Sequence, residues 1–346
     1  MSEIRLNKAS YIHNLTQICA KAGGKEKVIV VLKDNAYGHG ARLIANEAKK
    51  FGIEICAVKS EFEAEEISDI FEKLLILSPN KVLSLNFLIL SHIPTGNESS
   101  KFVYAINDIE ALLKIKDGSK INLAIDTGMH RNGLDISELD YAFEILTRRN
   151  LELLGAYTHF RASDELNADY FVQRENFRAA KEKILALCDE FGIKKPIFHS
   201  HNSAALERAS EIDDDMVRVG IAQYGYAQFG DSLDLKPVLS LWARRVSRRI
   251  LKSGQGIGYG TKFSAKEDIN VATYDLGYGD GLLRYNGCGE LRLANNEPIL
   301  GKISMDSFSC KDSGEWVCVF DNANVWAKFF DTISYDILVK LSPNIS

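Results

Sequence analysis

Lys33 closes the run Val28-Ile29-Val30-Val31-Leu32, and the chain then passes into Asp34-Asn35-Ala36-Tyr37-Gly38-His39-Gly40. Five apolar residues, four of them β-branched, read as a strand buried on both faces. The carboxyl end of such a strand faces the ligand crevice or barrel mouth of an α/β fold. A lysine held there, partly desolvated, can lose its proton and act as a base or form a Schiff base. The plainer reading is a surface lysine that ends a strand. Other polar clusters also follow apolar runs: Asp126-Thr127-Gly128-Met129-His130-Arg131, Thr158-His159-Phe160, His199-Ser200-His201-Asn202-Ser203 and Arg218-Val219-Gly220-Ile221. Converging on one mouth, a lysine, two arginines, a histidine, hydroxyls and backbone amides suit an anionic ligand with a carbonyl to capture. They suit a metal poorly, because no carboxylate cluster accompanies the histidines and the pair His199 and His201 lacks a third ligand at suitable spacing. Each residue has a plain alternative: Arg131 as a helix-start ion-pair partner, Arg218 as a rim charge, His159 as a core histidine, Ser203 as a helix cap.

Eight apolar runs would have to position these groups: Val28–Leu32, Ile55–Val58, Leu74–Leu77, Phe102–Ile106, Ile121–Ile125, Leu153–Thr158, Pro196–His199 and Met216–Gly220. Helical patterns lie between them. Glu61–Phe71 sets Phe62, Ile67, Ile70 and Phe71 on one face, and Ala168–Phe191 carries a stripe of Tyr170, Phe177, Ala180, Ile184, Leu187 and Phe191. Strands alternating with helices predict parallel βαβ units, and eight of them match a (β/α)8 barrel (TIM barrel) better than an open sheet. After about Gly230 the pattern changes. Pro237 to Ser247 alternates through Val238, Leu239, Leu241 and Val246, glycine-rich turns follow, and a helical pattern returns only at Tyr335–Leu341. The expectation is an α/β barrel over residues 1–232 and a C-terminal mostly-β domain over 233–346, with the boundary near Asp231–Leu235. The 346 residues are 46% hydrophobic and 26% charged with a net charge of −5, which gives no general attraction to nucleic acid or anionic membrane. The six cysteines form no Cys-x-x-Cys pair, and no secretory leader or membrane span is evident. A cytoplasmic protein with reduced thiols is expected.

The stretch Val31-Leu32-Lys33-Asp34-Asn35-Ala36-Tyr37-Gly38-His39-Gly40 resembles the Val-x-Lys-x-Asn-Ala-Tyr-Gly-His-Gly signature of alanine racemases. The blocks Asp126–Arg131, Thr158–Phe160, His199–Ala204 and Arg218–Gly225 each resemble one of that family's motifs, in its order. So do Gly258-Tyr259-Gly260-Thr261-Lys262-Phe263, Gly277-Tyr278-Gly279-Asp280-Gly281, Gly301-Lys302-Ile303-Ser304-Met305-Asp306 and Ile333-Ser334-Tyr335-Asp336. The resemblance implies interconversion of L- and D-alanine with pyridoxal 5′-phosphate, supplying D-alanine for peptidoglycan. It implies that Lys33 carries the cofactor and works as base on one face of the substrate. Tyr259, lent by the partner subunit of a homodimer, serves the other. Tyr37, Ser203, Gly220, Ile221 and Tyr335 would hold the phosphate, and Arg218 would face the pyridine nitrogen. Arg131 and the Met305 backbone would take the substrate carboxylate, with Asp306 shaping that side. A phenol titrates near ~10, and lowering it to about 7 takes roughly 4 kcal/mol; His159, in a network with Arg218, is the expected cationic neighbour. The chain departs from the family twice. Ala124 stands where many members have a carbamylated lysine that positions the carboxylate-binding arginine, and the arginine-bearing continuation beyond Leu341 is missing. The competing readings are a decarboxylase of basic amino acids on a similar fold, a racemase of serine or of broader range, and a cofactor-carrying regulatory protein.

Overall fold

The computed structural model describes residues 2–79, 100–230 and 232–345. The chain opens with β1 (Glu3–Leu6) and a helix over Lys8–Ala22, which Asn7 caps by accepting from the Ser10 amide at 3.0 Å. The barrel strands follow as β2 (Val28–Val31), β3 (Ile55–Val58), β4 (Lys73–Ile76), β5 (Phe102–Ile106), β6 (Lys120–Ala124), β7 (Glu152–Tyr157), β8 (Ile197–His199) and β9 (Val217–Val219). They pair in parallel in the order β8-β7-β6-β5-β4-β3-β2-β9, each within a residue or two of its expected run. β2 is buried at every position, as a strand covered on both faces must be.

The sheet is nearly closed, and its seam lies between β8 and β9. There the Arg218 amide donates to His201 O at 2.8 Å and the Asp215 amide to Phe198 O at 3.0 Å. The Asp214 carboxylate fills the seam, accepting from the Ser200 amide at 2.6 Å and pairing with Lys181 at 3.0 Å and His201 Nδ1 at 3.2 Å. Burial alone would raise the Asp214 pKa; the His201 and Ser200 hydrogen bonds and the Lys181 charge outweigh it and hold the carboxyl well below the usual range.

The second sheet comprises β10 (Leu239–Leu251), β13 (Ile269–Tyr274), β14 (Phe308–Lys311), β15 (Trp316–Phe320) and β16 (Asn344–Ile345), beside the hairpin β11 (Gly256–Ile257) and β12 (Phe263–Ser264). β1 belongs here too, antiparallel to β10 with Ile4 opposite Leu241, so the first strand of the chain completes the sheet made by the last third.

Three expectations are corrected. The helix foreseen over Glu61–Phe71 stops at Glu66, and Phe62 is 78% exposed while Ile67 and Phe71 are buried. The rotation of this short helix turns Glu63 inward to bind backbone amides, which faces Phe62 to solvent. Val246 is 64% exposed because β10 is bulged between Arg245 and Ser247, which breaks the alternation there. The last helix covers Ser334–Leu338 rather than Tyr335–Leu341. The long helix Asp169–Phe191 buries Tyr170, Phe177, Ala180, Ile184 and Leu187 as the stripe predicts. Of the segment expected to hold the boundary, Asp231 lies outside the described residues.

Candidate active site

Lys33 leaves β2 through an unusual turn. Asp34, Asn35, Ala36 and Tyr37 have φ of 52, 53, 52 and 54°, one turn of left-handed helix built from residues with side chains. Such a conformation costs about 1–2 kcal/mol per residue and persists only where surroundings hold it. Here Glu63 accepts from the Asp34 and Lys59 amides, each at 2.7 Å, and the Asn35 side chain accepts from the Ala41 amide at 2.8 Å. The turn aims Lys33 and Tyr37 into the same cavity, of about 690 Å³, at the carboxyl end of the barrel strands. Lys33 Nζ lies 6.0 Å from the Tyr37 ring centroid.

Around that cavity stand Lys33, Tyr37, Arg131, His159, Ser203, Arg218, Gly220 and Tyr335. Eight of the twelve residues singled out in the sequence are therefore brought together here, seven from the barrel and Tyr335 from the helix Ser334–Leu338. Tyr37 and Tyr335 have ring centroids 5.7 Å apart, and burial raises both phenols far above the ordinary value, so both remain hydrogen-bond donors. A Cβ on Gly220 would lie 2.5 Å from the Tyr37 hydroxyl, so only glycine admits this approach. Ser203 Oγ accepts from the Gly220 and Ala222 amides at 3.2 Å each, which leaves its own proton to donate. Ile221 is fully buried in the core and is absent from the cavity lining, and the Gly220 amide is already engaged with Ser203. The free donors are thus the three hydroxyls, with the Gly220 amide already engaged. Neutral hydroxyls grouped a short way from a lysine fit a phosphate ester on an aldehyde, and pyridoxal 5′-phosphate is such a group.

Arg218 is buried and held on three sides. Nη1 donates to His199 Nδ1 at 2.6 Å and to the His199 carbonyl, Nη2 donates to Thr158 O at 2.6 Å, and Cζ lies 4.7 Å from the Tyr157 ring centroid. The Tyr157 ring stacks on His199 at 5.2 Å. Burial pushes the guanidinium pKa down to about 10, so the group stays charged at neutral pH. Because Arg218 donates to Nδ1, the neutral His199 ring carries its proton on Nε2. Asn122 Nδ2 is placed 2.9 Å from His199 Nε2, and turning that amide over would bring its oxygen, the atom able to accept the proton, to the same position. Arg218 keeps Nε–H and one Nη2 proton uncommitted.

His159 corrects an expectation. Its ring keeps surface open to the cavity, and its basicity is lowered by removal from bulk water and then by Arg218, Arg131 and Lys33. Since part of the ring remains in contact with solvent, the three cations are the firmer cause. They keep the imidazole neutral, so it is not the cation first expected. The histidine tied to Arg218 is His199, weighed in the sequence only as one of a zinc pair. Among the described residues no cluster of three metal-ligating side chains occurs.

Tyr259, Met305 and Asp306 stand apart. None lines the cavity of their own chain; Tyr259 is 72% and Met305 55% exposed. Their loops belong to one surface patch. A Cβ on Gly277 would lie 2.1 Å from Met305 O, and a Cβ on Gly258 would lie 3.8 Å from Lys302 O, so three glycine-bearing segments pack together there.

The family model for the alanine racemase N-terminal domain matches residues 6–228, and that for the C-terminal domain matches residues 238–346. An alanine racemase of Campylobacter concisus is 84% identical over 346 residues, covering 100% of this chain and 99% of its own. One from Campylobacter curvus is 68% identical over 345 residues, covering 100% and 98%. The solved structure of an alanine racemase from Clostridium difficile 630 superposes with a TM-score of 0.84 at 26% identity, covering 99% of this chain and 93% of that one. These matches favour the racemase reading over the decarboxylase and the regulatory carrier. The chain belongs to the alanine racemase family, enzymes that depend on pyridoxal 5′-phosphate.

Proposed function

We propose that Lys33 and Tyr259 are the two proton-transfer groups of alanine racemisation, and that Tyr259 reaches the cavity from a second copy of the chain. The observation that supports this most is the separation itself: Tyr259 is 72% exposed on the other domain and does not line the cavity of its own chain, which holds Lys33. One group cannot readily both remove a proton from one face of Cα and return it to the other. Bound at Lys33, pyridoxal 5′-phosphate supplies the electron sink that makes that proton labile. The protein supplies position and charge. Tyr37, Ser203 and Tyr335 donate to the phosphate, with Gly220 giving it room. Arg218 would offer its remaining donors to the cofactor's ring nitrogen, and a guanidinium, which donates and never accepts, would leave that nitrogen unprotonated. Arg131 takes the substrate carboxylate, joined by the Met305 backbone and Asp306 of the partner subunit. Lys33, Arg131 and Arg218 form the positive field that the incoming Tyr259 phenol meets.

In this reading the enzyme is a cytoplasmic homodimer making D-alanine for peptidoglycan, with a barrel unit over residues 1–232 and a β unit over 233–346. Among the described residues no helix is long and apolar enough to cross a membrane. The test is incubation of the holoenzyme with L- or D-alanine in D2O. Deuterium should enter Cα of either enantiomer while optical rotation falls to zero. Release of CO2, or exchange with rotation retained, would overturn the reading.

A further inference from the structure

We propose that Asn107 is the positioning residue for Arg131, a role that rests on Arg131 being the carboxylate ligand. Ile106 pairs with Leu123 across β5 and β6, so the next residues, Asn107 and Ala124, are neighbours on the barrel rim. The Ala124 methyl leaves room there, and Asn107, Ala124 and Arg131 all line the cavity. The backbone of Asn107 holds the arginine's loop: its carbonyl accepts from the Gly133 amide at 2.8 Å, two residues beyond Arg131. Its side-chain nitrogen donates to Leu77 O at 3.0 Å, which fixes the amide's orientation. Its Oδ1 is buried with no hydrogen-bond partner, and the Arg131 guanidinium makes no hydrogen bond or ion pair with any described residue. A buried oxygen lone pair calls for a donor. It would repel an anion placed in the gap, whereas a guanidinium offers five N–H groups, enough to serve Asn107 and a carboxylate together.

Propionate, a carboxylate without the amine, probes this without turnover, by titrating the visible band of the holoenzyme. Asn107→Ala, or the same-sized Asn107→Leu, should weaken propionate about tenfold. Either variant is read only with its cofactor band and melting transition intact. KM for alanine should rise in parallel while kcat stays within about threefold, the split expected when uniform binding is lost. Asn107→Asp, which keeps an acceptor, should restore both. If Arg131→Ala loses propionate and the Asn107 variants do not, the Asn107 role falls while the Arg131 reading stands. If neither loses it, both fall. Propionate binding that tightens on the wild type as chloride replaces gluconate at fixed ionic strength would give the anchoring role to an anion and overturn the proposal.

Discussion

The barrel rim and the second-domain patch handle functional residues in opposite ways. At the rim several functional groups are tied down: Arg218 by His199 and Thr158, the Lys33 turn by Glu63, Ser203 by two amides. At the patch Tyr259 and Met305 stand open to solvent, on loops shaped by glycines. The rim is preorganised by its own chain and carries a strained turn that only dense packing can hold. The patch is shaped by its own backbone and leaves its side chains open. If the site is shared between two copies as proposed, activity depends on association.

Removing the rim's amine should have the largest effect. In Lys33→Ala the visible absorption of bound cofactor and the racemisation should both vanish; a retained band would remove Lys33 from its role. Next comes the patch. Tyr259→Phe should leave the band unchanged and lower kcat by about 10²–10⁴-fold, the usual range for losing a proton-transfer group. Unchanged turnover would discard the two-base scheme. Mixing inactive Lys33→Ala and Tyr259→Phe proteins sharpens the comparison further. A dimer with one altered rim and one altered patch retains a single intact site, so part of the activity should return; no recovery despite proven subunit exchange would place both groups in one chain.

How much of this was legible in the sequence differs between the same two regions. The barrel strands were legible because runs such as Val28–Leu32 are apolar throughout and bounded by polar residues, which leaves little choice of element. β1 was not legible: Glu3-Ile4-Arg5-Leu6 is short and half charged, and its partner lies more than 230 residues away. The left-handed turn could not be foreseen either, since Ala36 and Tyr37 have no preference for that conformation and adopt it only under tertiary constraint. His199 was visible as a residue but not as the anchor of Arg218, because their contact exists only once β8 and β9 close the barrel. Ile221 was placed at the phosphate by motif resemblance; with its side chain committed to the core, its backbone amide is the group left for that role. Tyr259 was found by resemblance alone; its exposure needed the fold.

The seam gives the next prediction. Asp214→Asn removes the carboxylate facing Lys181 and His201 in a buried setting, and should cost about 3 kcal/mol of stability. Because Asp214 ends β8's connection to β9, loss of the cofactor band should accompany melting. Met305→Ala on the exposed patch should stay within about 0.5 kcal/mol in the separated chain. Thermal unfolding of the two variants, followed by near-UV signal, checks the contrast. Equal losses would mean that the patch is as tightly built as the rim.

A smaller effect than that at the seam is the response to acid, and it too should belong to the rim. His39 lies buried under the Lys33 turn, its ring stacked on Tyr224 at 4.2 Å, and burial pushes its pKa down to about 4. His199 is lowered well below the ordinary value, by burial and then by Arg218. Both rings are harder to protonate folded than unfolded. Below about pH 6.5 the unfolded chain therefore binds protons first, and stability that is complete above that pH declines as pH falls toward the folded values. Each histidine should cost about 1 kcal/mol between pH 7 and 5.5. Since the patch carries no histidine, a His39→Gln variant should lose one histidine's share of that slope, whatever its stability at pH 7. A slope identical to the wild type's over this window would assign the acid response to other groups and remove one physical distinction between the two regions.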